Sequence, residues 1–113
     1  MSISSSLALL EPLDGQSWRD IQGFRIHYER GGEELSWCDD RLLDHIQGVC
    51  QRKLAERSIG IVLQLTSWFV DNKWRTELYS EEGNKVTEED YYDGETPAES
   101  ILAAYCACLQ ELA

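Results

Sequence analysis

The residues able to do chemistry are few, and their spacing argues against most of it. Four cysteines (Cys38, Cys50, Cys106, Cys108) and two histidines (His27, His45) are the candidates for metal ligands or nucleophiles. Cys106-Ala107-Cys108 lacks the usual zinc-site separation of about two to four residues. The pair also falls in a predicted helix, where about 100° per residue points its two sulfurs about 200° apart. His27 and His45 stand alone. The set reads as small buried hydrophobes, surface imidazoles and, in a reducing cytosol, free thiols. Neither a metal nor a cofactor is expected. Nucleophilic catalysis needs a nucleophile beside a base, and no local motif announces one. Gly31-Gly32 lacks the Lys and Ser/Thr of a phosphate loop. Glu88-Glu89-Asp90 offers adjacent carboxylates, but adjacent acids in a polar turn are ordinarily solvated. The stretch 90–96 lacks the alternating ligands and terminal Glu of a calcium loop. The residues assign no catalytic site.

What remains is charge. The chain of 113 residues carries 21 acids against 10 bases, a formal net charge of −11. Direct nucleic-acid binding needs a basic footprint and is disfavoured, as is an anionic membrane. The balance is uneven: residues 1–57 net −3 and residues 58–113 net −8. Most of the excess lies between Thr76 and Glu99, where Lys85 is the single base. Within it, Glu81, Glu82, Glu88, Glu89, Asp90, Asp93 and Glu95 surround Tyr91 and Tyr92. Tyrosines among charges make a binding surface, since each offers apolar area and a hydroxyl at low entropic cost. These nine residues are the candidate partner-binding face. The alternative is a solvated loop whose tyrosines cover the edge of the core.

The positioning elements follow from periodicity. The expected fold class is α+β, a small mainly antiparallel sheet of four to five strands with two packed helices, in the order ββαββ(β)α. Residues 1–20 read as a loosely ordered lead-in, punctuated by Pro12 and Gly15, and 21–113 as a single domain. Phe24, Ile26 and Tyr28 alternate with Arg25 and His27, which predicts a strand over 22–29. Gly31-Gly32 offers a hairpin turn into a second strand over 33–37. Leu42, Leu43, Ile46, Val49, Cys50 and Leu54 predict a helix over 39–57, capped by Ser36 or Asp39. The apolar run over 59–70 predicts a central strand covered on both faces for part of its length. A turn at Asp71-Asn72 returns it as a strand over 73–80, with Trp74, Thr76 and Leu78 on one face and Arg75, Glu77 and Tyr79 on the other. Glu82-Gly83-Asn84 is a further turn, and Val86 starts a short edge strand. Thr96-Pro97-Ala98-Glu99 is a capping box with proline at the first helical position. Ala98, Ile101, Leu102, Tyr105, Cys108, Leu109 and Leu112 then trace one apolar stripe.

Trp68 and Trp74 within 68–78, the acidic loop, and the Gly94-Glu95-Thr96-Pro97 entry to an Ala-rich helix together cover about half the chain. In this the C-terminal half resembles the phage α-β-α sandwich domain family; the first 37 residues have no counterpart there. The resemblance implies a phage or prophage origin, carries no defined activity and transfers no catalytic residue. With no visible secretory signal and no apolar stretch of membrane-spanning length, the expected location is cytoplasmic, the host cell's cytoplasm if phage-encoded. The first functional reading is a non-enzymatic acidic protein that blocks a basic, nucleic-acid-binding surface of a partner protein. Host-defence inhibitors and nuclease immunity proteins are of this type. The alternative is a non-catalytic accessory subunit of a larger assembly. A small enzyme comes last. The partner's identity, the oligomeric state and the organism are not legible in the sequence.

Overall fold

A computed structural model describes residues 2–68 and 71–112. The N-terminal third, expected to be a lead-in followed by a hairpin, is helical. Ser2 accepts the Ser5 amide at 3.2 Å and starts α1, Ile3–Leu13. Ile3, Leu7 and Leu10 recur at helical spacing and are buried. Pro12 sits in the last turn of α1, which ends at Leu13 with Asp14 as its C-cap. Asp14 then caps α2, Gly15–Arg30, by accepting the Ser17 amide and hydroxyl at 3.2 and 2.6 Å.

The strand expected over 22–29 therefore does not exist. Ile21, Phe24 and Tyr28 lie on one helical face: Ile21 is fully buried, and the two rings pack on the core. Ile26, which the strand would bury with them, is 42% exposed. Nor is Gly31-Gly32 a hairpin turn. Gly32 adopts φ +85°, its amide bonds to Glu29 O, and the Glu33 amide reaches back to Tyr28 O. That is a Schellman ending, whose left-handed residue favours glycine. The second strand, over 33–37, is an irregular connection held by its apolar residues. Leu35 is buried, Arg25 Nε donates to its carbonyl at 3.2 Å, and the same guanidinium lies 4.3 Å over Trp37.

The helix expected over 39–57 is present as α3, Asp40–Glu56, with Asp39 as its cap. It buries Leu42, Ile46, Val49, Cys50 and Leu54. The strand expected over 59–70 appears as β1, Gly60–Trp68; Phe69 and Val70 lie outside the described residues. Asp71 and Asn72, expected as a turn, open β2, Asp71–Tyr79, opposite Trp68 and Ser67. The pairing is antiparallel and one-for-one from Gly60↔Tyr79 to Trp68↔Asp71. The third strand is β3, Tyr92–Gly94, which pairs antiparallel with β2. Val86 starts no strand: its amide bonds to Leu78 O beside an isolated bridge between Tyr79 and Lys85.

The order β1-β2-β3 makes β2 central, and β1 is an edge strand. Val62 and Leu65, on opposite faces of β1, are 41% and 52% exposed. An apolar run does not by itself distinguish a buried central strand from an uncovered edge. Among the described residues the element order is thus three helices, three strands and α4, Pro97–Leu112, in place of the expected ββαββ(β)α with four to five strands and two helices.

α4 joins the two halves, packing on α1 and α3 from one side and on β2 and β3 from the other. Thr96 Oγ1 accepts the Glu99 amide at 3.1 Å, as expected of a cap; the Glu99 carboxylate reaches back to the Glu95 amide at 3.4 Å. Ile101, Leu102, Tyr105, Cys108 and Leu109 are buried along the expected stripe, but Leu112 is exposed. Ser100, fully buried, donates to Tyr92 O at 2.7 Å and takes the Thr76 hydroxyl at 2.7 Å, tying α4 to β3 and β2. A Cβ on Gly94 would stand 2.5 Å from Ser100 N, so the helix can lie this close only over glycine. No helix among the described residues is long and apolar enough to cross a membrane.

Candidate functional site

The acidic segment 81–95 is not one face. It divides into a turn, a pinned loop and a strand. Glu81 and Glu82 are exposed in the turn closed by the Ser80 amide on Asn84 O at 2.7 Å, with Gly83 at φ +83°. Lys85, the single base of the segment, folds the loop after it. Its ammonium donates to Asp90 Oδ1 at 2.7 Å and to Glu88 O at 3.1 Å. That hydrogen bond and the positive charge hold the Asp90 carboxyl below its ordinary range. Thr87 is buried and donates to Glu89 O at 2.9 Å, and the Glu88 amide donates to Glu111 Oε1 on α4 at 2.6 Å. Glu88, Glu89 and Asp90 are thereby held outward on a loop braced from both sides.

The two tyrosines separate. Successive residues of extended chain point to opposite faces. Tyr92 pairs with Thr76 on the inner face and packs against the core, where burial raises its phenol above the ordinary value. Tyr91 is exposed, with the Arg75 guanidinium 3.7 Å over its ring. Arg75 also donates to Asp93 Oδ1 at 3.1 Å, the residue opposite it in the sheet register. Tyr91 is therefore the solvent-facing aromatic, and Tyr92 is largely structural. Glu95 is exposed at the entry to α4 and lines a different cleft, with Thr96 and Glu99.

Four of the nine candidates meet at one place. Glu89, Tyr91, Tyr92 and Asp93 border a cleft of about 350 Å³. Leu9 of α1 and Ala103 and Ala107 of α4 also line it. Those two alanines, four apart on the helix, leave room that larger side chains would fill. Arg75 and the alanines were not singled out from the sequence. Ala103, Ala107 and Gln110 do share a helical face beside the main stripe, a signal the sequence contains. Arg75 neutralises Asp93 and Lys85 neutralises Asp90. Among the described residues, no lysine or arginine lies within ion-pair distance of Glu81, Glu82, Glu88, Glu89 or Glu95.

Of the groups with most intrinsic reactivity, Cys106 borders this cleft but is itself buried; the others lie elsewhere. Cys50, Cys106 and Cys108 are buried and Cys38 is exposed, all as free thiols. Burial pushes the Cys106 thiol up to about 12 and raises the other two buried thiols. Cys106 donates to Ser6 O on α1 at 3.4 Å. His45 stacks on Phe24 with centroids 4.3 Å apart, and His27 meets the edge of Tyr28. Among the described residues, no three His, Cys, Asp or Glu side chains converge as metal ligands would. A cluster that resembles a reactive centre is Asp14 with Ser17 and Tyr105, whose hydroxyl donates to Asp14 Oδ2 at 2.6 Å. Burial acts to raise the Asp14 carboxyl, but the bonds from Ser17 and Tyr105, with the Lys53 charge, leave it below its usual value. Burial, and secondarily that bond, raises the Tyr105 phenol. An ionised carboxylate saturated by a helix cap and two hydroxyls is a joint between α1, α2 and α4, not a base. Comparison of the chain with protein families, with curated proteins and with solved structures finds no match.

Proposed function

We propose that this is a non-enzymatic acidic interaction protein that occupies a basic surface of a partner protein, one of the kind that otherwise holds nucleic acid. The observation that carries the reading is the cleft of about 350 Å³ bordered by Glu89, Tyr91 and Asp93 and lined by Leu9, Ala103 and Ala107. Lysine and arginine have an apolar stem and a cationic head. A cleft with small apolar walls and a carboxylate, that of Glu89, with no lysine or arginine at ion-pair distance among the described residues complements both parts. Tyr91, one face of which Arg75 covers, adds apolar area at its rim. Glu81, Glu82 and Glu88 extend the negative field around it, which speeds the encounter with a basic surface. The resemblance of the C-terminal half to the phage family points to a phage or prophage origin; an inhibitor or immunity-type protein acting in a host cell's cytoplasm is the reading that the chain's size and charge add to it by analogy.

The test is fluorescence anisotropy of a labelled hexa-arginine peptide at two salt concentrations. Any strongly acidic chain attracts such a peptide, so the comparison is between two variants of equal charge. Glu88→Lys with Glu89→Lys alters one acid that borders the cleft and its neighbour in sequence. Glu34→Lys with Asp44→Lys alters two exposed acids in the 33–37 connection and on α3. The first pair should weaken binding at least tenfold more than the second, and Tyr91→Ala should speed dissociation. Equal losses from both pairs would mean that only net charge matters.

A second reading, an accessory subunit that makes its contact through an apolar surface, draws on the uncovered β1 edge.

A further inference from the structure

We propose that the protein self-associates by pairing β1 with β1 of a second copy, antiparallel about a two-fold axis centred near Leu63. Among the described residues, β1 is hydrogen-bonded along one side only, to β2. It is nine residues long, unbroken by any bulge in its register, and contains no charged residue and no proline. Edge strands are normally protected by a lysine, a proline, a bulge or a covering element. β1 has none of the first three. α4 lies over β2 and β3; α3 touches β1, where Ile61 packs on the core, but the strand leaves Val62 and Leu65 exposed on its two faces.

Two counts fit a second copy to this edge, and a third limits the strength of the pairing. The first is register. With the axis at Leu63, Leu65 lies across from Ile61 of the other copy and Leu63 across from its equivalent, all on the inner face that faces α4 in β2 and β3. Cross-strand apolar pairs of this kind are the unit of sheet stabilisation. The exposed Leu65 thus gains an apolar neighbour on the face where the pleat already places it.

The second is charge. A chain of net −11 repels its own copies, and β1 is a segment with no charge of its own. Joined at β1, two three-stranded sheets form one sheet of six, with β3 and the acidic loop at its outer edges. Five strand spacings of about 4.8 Å hold the two β3 strands about 24 Å apart. That is well beyond the screening length of about 8 Å at physiological salt.

The third is scale. An edge about 30 Å long, from nine residues at about 3.3 Å each, buries less than the roughly 1,200 Å² of a standard stable interface. The dimer is therefore weak and reversible.

Sedimentation equilibrium from low to high micromolar protein tests this, at low and at high salt. The expected result is a mass rising from one copy toward two, with association tighter at high salt because screening removes repulsion between like chains. Binding of a basic partner at the acidic cleft weakens with salt, so the two interactions are separable by sign. Val62→Lys and Leu65→Lys, made singly at exposed positions, should each weaken association at least tenfold with unchanged circular dichroism. Amide exchange of the unmodified chain gives a readout independent of any variant: protection at residues 61–66 should grow with concentration. One-copy mass throughout the range would overturn the proposal. So would a dimer that survives both lysines, or one whose protection appears outside β1.

Discussion

Removing one hydroxyl from Tyr105 tests the joint that organises the helical half. Tyr105 is fully buried on α4, and its hydroxyl donates at 2.6 Å to the Asp14 carboxylate that caps α2. Tyr105→Phe keeps the ring and removes that bond. A hydrogen bond to a charged group contributes about 1.5–3 kcal/mol, so the variant should lose about that much at pH 7. Asp14 retains the Ser17 amide and hydroxyl, so the cap itself survives and the fold with it. The pH dependence follows from the carboxyl being held below its ordinary 3.8. A depressed acid contributes stability that is fully present above the unfolded value and is lost as pH falls through the folded one. The cost of Tyr105→Phe should therefore be steady at neutral pH and shrink below about pH 4, as Asp14 takes up its proton in both proteins. Urea unfolding of both proteins at a series of pH values measures the difference, in which contributions common to both cancel. A cost under about 0.5 kcal/mol at pH 7, or one that stays constant down to pH 3, would refute the reasoning.

Three further expectations use the same assays. Leu102→Ala, at a fully buried position on α4, should cost about 2–5 kcal/mol, and a near-neutral result would place that face in solvent. Gly94→Ala must push α4 off β3, because the new Cβ would meet Ser100 N at 2.5 Å; overpacking of this kind costs about 1–3 kcal/mol by urea unfolding. Mild alkylation of the native protein should add one label, at Cys38, with Cys50, Cys106 and Cys108 reacting only after unfolding; intact mass reads the difference.

Local signals were legible where only one structure satisfies them. Thr96-Pro97 and the stripe from Ala98 to Leu109 fit a helix and nothing else, as did Asp39 with the Leu42 to Leu54 stripe. The alternation through Trp74, Thr76 and Leu78 was likewise unambiguous. The failures fall where two structures share a signal. Phe24 and Tyr28 are four apart, a spacing that suits one face of a strand and one face of a helix. Ile26 tipped the count toward a strand, and Ile21, which would have tipped it back, lay outside the window. Gly31-Gly32 serves a hairpin or a helix end equally well. Pro12 and Gly15 look like breakers, yet one sits in the last turn of α1 and the other just after the Asp14 cap. For the candidate site, the acids were visible as composition. Their division was not, because it depends on Lys85 folding back to Asp90 and on the chain turning Tyr91 toward Arg75 just before β3 takes Tyr92 to the inner face. The share of the cleft that comes from Leu9, Ala103 and Ala107 is tertiary, formed only once α1 and α4 pack together.

The most direct test of the central claim is a nitrogen-15 correlation spectrum of the protein titrated with the hexa-arginine peptide. If the cleft receives a cationic side chain, the shifts should concentrate on the amides of residues 89–93 and 103–110 and saturate together with one affinity. They should fade as salt is raised. Shifts spread evenly over the acidic residues of the whole surface, with no saturation at the cleft, would contradict the account.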